Sequence, residues 1–528
     1  MGIYINIGNQ GFKEVLNSEY VDKTGLIGLI NETIGTKQKL TCVSRPRRFG
    51  KSYAAQMLCA YYDCSCDSHE LFDELEIAKD TSYENYINKY NVIYIDMTNI
   101  IGKCKDEGLV DYIEKAVTAE ILSEFSAVKK GMSFDETLMN LVKFSERKII
   151  MIIDEWDAPI RENPGYERKY LEFLRMLFKS SATTAQLFAA AYMTGILPIK
   201  KDGSQSAISD FKEYTMVEPY QFAEYVGFTE DEVRKLCASK NKSFDDFKLW
   251  YDGYDLGNGL SIYNPNSVMN ALRNDKFKSY WTETSAATSL MSFINKDYSG
   301  MTKTVAELIA GVEVKVDTDG FANDLTTFRG RDDVLTLLIH LGYLSYNYEK
   351  ETVRIPNEEI RREFARAVRN LDNTETLNRL KESDRLLQDT IDMNEEAVAA
   401  AIEKVHSEEM VPLHYNTEES LRSVIKLAYY TYRDNYLQWE ELPSGVGYAD
   451  IVYMPKKDSL YPALLVELKW NASAEGAIDQ IKRRKYPESI KNFGGEILLV
   501  GINYDKDSRD KKHSCKIEKL KKDNSSYS

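Results

Sequence analysis

Proline is scarce in this chain of 528 residues, at 12 positions, so long linkers between folded parts are not expected. Cysteine is scarce as well. The seven thiols (Cys42, Cys59, Cys64, Cys66, Cys104, Cys237 and Cys515) are odd in number and scattered, which excludes a disulfide framework and suits a reducing cytoplasm. Cys64-Ser65-Cys66 with His69 brings three candidate metal ligands together. Their spacing is wrong for a zinc knuckle, and no second pair follows. No uninterrupted apolar run comes near the ~18 residues of a membrane span, and Met1-Gly2-Ile3-Tyr4 opens no basic-then-apolar leader, so neither membrane insertion nor secretion is expected. Positive charge is also short. With 68 Lys+Arg against 83 Asp+Glu, the net charge of −15 argues against passive coating of nucleic acid.

The 43% of hydrophobic and 29% of charged residues are those of soluble globular protein, and the length exceeds what one core organises, so three or four domains are expected. The charge deficit is uneven. Residues 415–528 hold 19 Lys+Arg and 17 Asp+Glu, leaving 68 − 19 = 49 against 83 − 17 = 66 for the rest, or +2 against −17. The last quarter is therefore distinct, with basic runs at Lys482-Arg483-Arg484-Lys485 and from Lys511 to Lys522 that more often mark solvated helix faces than binding sites.

Near the start, an apolar run from Leu40 to Val43 leads into S-R-P-R-R-F-G-K-S-Y and then a helix-compatible Ala54-Ala55-Gln56-Met57-Leu58. That order is strand, phosphate loop, helix. Backbone N–H groups at a helix start cradle phosphate oxygens, Lys51 reaches the β/γ-phosphates, and the Ser52 hydroxyl ligates Mg²⁺. Arg47, Arg48, Phe49, Gly50 and Tyr53 complete the expected nucleotide-binding loop. Arg45 stands where phosphate loops usually begin with glycine; Arg45, Arg47 and Arg48 are candidates for phosphate or interdomain contacts. The stretch before the loop, with Tyr20-Val21-Asp22-Lys23-Thr24, lies where nucleotide-binding folds often place base contacts.

Val92 to Met97 reads as a buried strand, and Leu109 to Phe125 as an amphipathic helix. The run Lys148-Ile149-Ile150-Met151-Ile152-Ile153 ends in Asp154-Glu155-Trp156-Asp157. Adjacent carboxylates at the end of so apolar a strand are costly unless paired or solvated, which favours a Walker B strand. Asp154 then holds the Mg²⁺ water shell, and Glu155 orients or deprotonates the attacking water. A further strand from Leu187 to Met193 ends at Thr194-Gly195, where Thr194 is a candidate to sense the γ-phosphate. One strand falls in sequence between the phosphate-loop strand and the Asp154 strand, as in additional-strand ATPases, and alternating strands and helices predict a parallel sheet with ligands at its C-terminal edge.

The middle is rich in aromatics and turns, with L-W-Y-D-G-Y-D from Leu249 and I-Y-N-P from Ile262, a density that usually means packing. A helix from Asp333 to Leu341 and a hairpin over Tyr343–Tyr348 and Thr352–Pro356 resemble a winged helix. From Asn416 the pattern changes. A helix opening at Thr417-Glu418-Glu419-Ser420 carries Glu418 on its inward face with Leu421, Val424, Ile425, Ala428 and Tyr432. Strands follow at Gly445–Tyr453 and Ala463–Trp470, then a helix from Ala474 to Lys485 and a strand from Ile497 to Gly501. Glu467 and Lys469, two apart on a strand, share a face. An ion pair explains them, and so does a site in which Asp450 and Glu467 bind Mg²⁺ through oxygen while Lys469 orients water or offsets developing charge. That second arrangement suits phosphodiester hydrolysis.

These residues together resemble bacterial and archaeal proteins that join an AAA-ATPase-like domain to a PD-(D/E)XK nuclease-superfamily domain. The landmarks are Tyr20 to Thr24, R-P-R-R-F-G-K-S, I-D-E-W-D, Thr194-Gly195, W-Y-D-G-Y, Y-N-P, I-P-N-E-E, G-Y-A-D, V-E-L-K and A-I-D-Q-I-K-R-R-K-Y, spread over nearly the whole chain. The resemblance implies an α/β protein with a P-loop additional-strand ATPase core over residues 1–235 and a helical lid with a winged-helix-like region over 236–375. A restriction-endonuclease-like α/β domain would follow over 376–528. It implies ATP at Lys51, Ser52, Asp154 and Glu155, and a nuclease site at Asp450, Glu467 and Lys469 with Glu418 and Gln480 auxiliary. ATP and Mg²⁺ are the expected cofactors, with Mn²⁺ able to replace Mg²⁺ at the nuclease site. Nucleic acid, DNA rather than RNA, is the expected partner, in the cytoplasm and with no membrane, and this ATPase class also allows a homo-oligomer. Arg161, Arg361 and Arg362 are the candidates for an arginine finger. The alternative is a nucleotide-driven switch whose nuclease-like module binds nucleic acid or a partner without cutting.

Overall fold

The computed structural model describes residues 2–104, 108–179, 181–199, 208–257, 259–281, 301–309, 311–321, 328–369, 374–409, 424–425, 428–429, 432, 436–443, 448–456, 461–483, 490, 493, 495–505, 507–508 and 513–520. The chain gathers into two compact units, one of residues 1–286 and 315–363 and the other of 287–314 and 364–528.

The first unit is built on a five-stranded sheet of β1 (Leu40–Ser44), β2 (Asn91–Asp96), β3 (Ile149–Asp154), β4 (Phe188–Gly195) and β5 (Lys212–Tyr214). Their order is β2-β3-β4-β1-β5, and every pairing is parallel. Parallel strands are covered on both faces and need continuous apolar sequence, which is why I-I-M-I-I-D in β3 is buried at every position. β4 stands between the phosphate-loop strand and β3, the additional-strand arrangement. Helices Leu109–Glu124, Phe134–Ser145 and Glu167–Phe178 cover the sheet through Ile113, Val117, Leu138, Leu141, Leu174 and Leu177. β5, three residues long with Lys212 exposed, has too little apolar sequence to be read as a strand.

The aromatic motifs of the middle pack against one another. A Cβ on Gly253 (φ +106°) would run into the backbone of Pro356, so only glycine lets W-Y-D-G-Y meet I-P-N-E-E there. Asn357 Nδ2 donates to Asp252 O at 2.9 Å and Arg354 Nη2 to Gly253 O at 3.1 Å. The helix Arg331–Leu341 ends at Gly342, in the left-handed region at φ +83°, and the hairpin of Ser345–Asn347 and Thr352–Arg354 follows as expected.

The second unit holds a mixed sheet in the order Tyr436–Pro443, Tyr448–Pro455, Ala463–Trp470, Ile497–Tyr504, His513–Lys519. Ala463–Trp470 and Ile497–Tyr504 run parallel and the other neighbours antiparallel. The helix Ala474–Arg483 connects the parallel pair and buries Ala474, Ala477, Ile478 and Ile481. At Gly501 an added Cβ would strike Ala474 O, so the helix lies as close as a missing side chain permits. The outer strands Tyr436–Pro443 and His513–Lys519 were not anticipated; both carry several polar residues, and His513–Lys519 leaves most of its face outside the core. Of the helix expected from Thr417, the described positions Val424, Ile425, Ala428 and Tyr432 are buried, while Leu421 and Glu418 lie outside the described residues.

Candidate ATP and nuclease sites

β1 ends at Ser44, the chain turns through Arg45–Phe49, and the helix Lys51–Tyr62 begins at Gly50. Gly50 has φ +94° and Arg48 has φ +67°, a conformation cheap for glycine and costly for arginine, so the loop is held by its surroundings. Asn264 of Y-N-P caps the helix Pro265–Asn274 and reaches Arg47 O at 3.5 Å. Phe49 is buried edge-on against Tyr254, with ring centroids 5.3 Å apart. Arg48 Nη1 donates to Tyr280 O at 2.6 Å. The motifs that carried no chemistry in the sequence are the scaffold of the loop.

Arg45 is a correction. Fully buried, it gives its guanidinium to the carbonyls of Ser44, Tyr214, Thr215 and Phe222, which stitches β1 to β5 and the segment after it. Burial pulls its pKa down to about 10, and it offers phosphate nothing. Arg47 and Arg48 are exposed.

Lys51 is 4% exposed, with Nζ 3.1 Å from Pro46 O and 3.3 Å from Glu155 Oε1. β3 brings Asp154 to the same sheet edge, level with Thr194 on β4 and Asp96 on β2. Desolvation raises the Asp154 carboxyl to about 6, with Glu155 and Asp96 adding to it and Ser52 and Lys51 opposing. Ser52 lowers the Asp154 carboxyl, so a hydroxyl and a carboxylate stand near each other as a phosphate-bound Mg²⁺ needs. Thr194 Oγ1 is buried with no hydrogen-bond partner. It lies at the end of β4, between β1 and β3, where a phosphate oxygen or water would satisfy it.

Beside the loop lies a cavity of about 360 Å³. Gly50, Lys51, Ser52, Tyr53 and Glu155 line it, as do Tyr20, Val21, Tyr225, Phe228 and Met269. The volume, the donors of the loop and the aromatic residues in the lining fit a nucleotide. Tyr20 belongs to the stretch expected to contact the base. Tyr225, Phe228 and Met269 carried no signal, because the chain returns to this place some two hundred residues later.

Asp157 was missed as a site residue, and Arg161 was expected only as a candidate arginine finger. Asp157 is buried and accepts from Ile196 N at 3.2 Å and Leu197 N at 3.0 Å, tying the Walker B loop to the end of β4. Arg161 Nε bonds Asp157 at 2.7 Å, and its Nη2 bonds Glu155 at 2.9 Å. The spacing of Asp157 and Arg161, four apart on one helical turn, was the available signal. Arg361 is bonded to Glu358, and Arg362 bonds Glu358 and lies 4.3 Å over the Trp250 ring. All three finger candidates are thus engaged within their own chain.

In the second unit, Glu467 lies on Ala463–Trp470 with 1% of its surface exposed. Lys469 Nζ is 3.3 Å from Glu467 Oε1. Gln480, on the following helix, accepts from Lys469 and donates to that same Glu467 oxygen, closing a three-membered hydrogen-bonded ring. Ile451 pairs with Val466, so the backbone of Asp450 comes level with Glu467 on the neighbouring strand. The structure thus brings Glu467, Lys469 and Gln480 together and sets the Asp450 backbone beside them. Among the described residues no three or more His, Cys, Asp or Glu side chains are grouped to hold a metal ion. A Mg²⁺ at either site would rest on one or two carboxylates and phosphate oxygens, its usual habit, and the buried acceptor of Glu467 fits that donor set.

Residues 6–204 match the family model described as "Predicted AAA-ATPase", and residues 416–514 match the PD-(D/E)XK nuclease superfamily. A protein of Azotobacter chroococcum mcd 1, described as "Uncharacterized protein in vnfD 5'region", is 25% identical over 304 residues, 55% of this chain and 56% of that one. The chain thus spans little more than half the length of that curated relative. Among solved structures, a Walker-type ATPase of Pyrococcus abyssi is similar at 14% identity, covering 65% of this chain and 94% of its own, with a TM-score of 0.36. The ORC2 protein of Aeropyrum pernix in ADPNP and ADP complexes is similar at 10% identity, covering 68% and 98%, with a TM-score of 0.29. No described helix is long and apolar enough to cross a membrane. The chain carries an AAA-ATPase-like domain over residues 6–204 and, in the same polypeptide, a PD-(D/E)XK nuclease-superfamily domain over residues 416–514.

Proposed function

We propose that the chain is an ATP-driven nuclease: it binds and hydrolyses ATP in the first unit and cuts nucleic acid, DNA rather than RNA, in the second. In the first, Lys51 and the amides after Gly50 hold phosphate oxygens, Ser52 and Asp154 hold Mg²⁺, and Thr194 touches the γ-phosphate or the water. Glu155 is the group that orients or deprotonates that water. In the second, Asp450 and Glu467 hold the metal, Lys469 offsets charge developing on the phosphate, and Gln480 fixes Lys469 relative to Glu467. The metal, when bound, supplies Lewis-acid stabilisation and a more acidic water. Seven unpaired thiols suit a reducing cytoplasm.

One observation carries the nuclease reading. A carboxylate 1% exposed, on a strand that packs the core, is joined to an ammonium and an amide aimed at the same oxygen. Burying that set costs stability, and a module that only binds a partner has no need of it. The test is cleavage of single-stranded DNA, duplex DNA and RNA with Mg²⁺ or Mn²⁺, with and without ATP, by wild type and Lys469→Ala. Metal-dependent cleavage by wild type that Lys469→Ala abolishes supports the reading. No cleavage of any substrate, together with loss of assembly or signalling in Lys51→Ala, would establish a nucleotide-driven switch instead.

A further inference from the structure

Glu155 departs from ordinary backbone geometry. Its φ of +52° lies in the left-handed region, which costs a non-glycine residue roughly 1 kcal/mol or more and persists only where neighbours impose it. Its two carboxylate oxygens are held by different cations: Oε1 lies 3.3 Å from Lys51 Nζ, and Oε2 lies 2.9 Å from Arg161 Nη2. Arg161 is itself fixed, because its Nε bonds Asp157 at 2.7 Å and Asp157 accepts from the amides of Ile196 and Leu197. Gly195 lets that loop come so near, since a Cβ there would lie 2.5 Å from Asp157 Oδ1.

The two cations differ in what a nucleotide does to them. Lys51 is the group that β/γ-phosphate oxygens claim. Its departure frees Oε1, on the side of the phosphate loop, while the link through Arg161 and Asp157 to the end of β4 stays closed. One oxygen is then presented to the attacking water and the other is clamped. Resting on the ATPase reading above, we infer that Arg161 is a positioning residue for ATP hydrolysis, acting in cis by holding Glu155 Oε2 against the Asp157 anchor. The Arg161 side chain is 11% exposed, tucked against its own loop.

The test uses the full chain and reads both turnover and nucleotide binding. Arg161→Ala is expected to lower kcat roughly 100-fold, the order seen when one group positioning a reactant is lost. KM, and the affinity for a non-hydrolysable ATP analogue, should stay within about threefold of wild type. Arg161→Lys, which restores one cationic contact, should recover part of kcat. If Arg161 acts only through Glu155, adding Arg161→Ala to Glu155→Gln should lower kcat no further. Mixing Arg161→Ala with Lys51→Ala should restore nothing, since each active site needs both residues from one chain.

Wild-type kcat in Arg161→Ala, equal losses in kcat and analogue affinity, additive losses in the double variant, or recovery on mixing would each overturn the inference while leaving the ATPase reading standing. A wild-type chain that binds the analogue but hydrolyses no ATP overturns that reading, and the inference with it.

Discussion

Glu359, in I-P-N-E-E, is a carboxyl 1% exposed that no catalytic step uses. It accepts from Tyr280 N at 2.6 Å and from Ser267 Oγ at 3.0 Å, so it joins the helix Pro265–Asn274, whose residues line the nucleotide cavity, to the segment that Arg48 of the phosphate loop grips. Desolvation outweighs those donors and raises the carboxyl from 4.5 to about 7. The sign follows from which state keeps the proton. Between the two values the folded chain holds a proton that the unfolded chain has released, so stability falls as pH rises through that window and is lost above it. A shift of that size corresponds to about 3 kcal/mol between pH 4.5 and 7, with no discount for solvent screening at so buried a group.

Glu359→Gln keeps the acceptor oxygen and removes the ionisation. Urea unfolding followed by amide exchange in the helix Pro265–Asn274, at half-unit steps from pH 5 to 8, gives the difference between variant and wild type. Carboxyls held low by partners, such as Glu19 and Glu230, titrate in the opposite sense, lose their stabilisation at lower pH, and cancel in that difference. The variant should gain on wild type by a few kcal/mol across the range, mostly below pH 7. A difference that is flat with pH would show that burial does not hold the proton on Glu359.

Thr194→Val removes a buried hydroxyl that has no partner, so thermal unfolding should be unchanged or slightly raised while ATP turnover falls at least tenfold; a stable variant with full turnover would remove Thr194 from the site. Gly253→Ala puts a methyl against Pro356 at φ +106°, and a loss of about 2 kcal/mol or more by denaturant titration is expected, with less than 0.5 kcal/mol contradicting the packing described. Arg45→Lys leaves carbonyls of Tyr214, Thr215 and Phe222 short of donors and should destabilise the chain by about 2 kcal/mol in calorimetry, whereas a stability-neutral variant with weakened ATP binding would return Arg45 to the phosphate site.

What could be read in the sequence was local. Gly50-Lys51-Ser52 after an apolar run and Asp154-Glu155 at the end of another have spacings that strand and helix geometry impose, and the parallel sheet follows from their alternation. Glu467 and Lys469 were legible for the same reason: period two sets them on one face. What was not legible depends on chain that returns from far away. Arg45 looked like a phosphate ligand until β5 and the turn at Phe222 supplied carbonyls for it. Asp157 carried no reading of its own, and its partners are the amides of Ile196 and Leu197. The aromatic segments were read as packing without a partner, and the partner is the phosphate loop itself, through Phe49 on Tyr254 and Asn264 on Arg47.

In the proposed function, ATP at Lys51 drives cutting at Glu467 and Lys469. The most direct measurement is the rate of metal-dependent DNA cleavage by the full chain as ATP is titrated, in wild type, Lys51→Ala and Lys469→Ala. Wild-type cleavage should depend on ATP, Lys51→Ala should lose the dependence, and Lys469→Ala should not cut at any ATP concentration. Cleavage of equal rate in wild type and Lys51→Ala, with or without ATP, would contradict it.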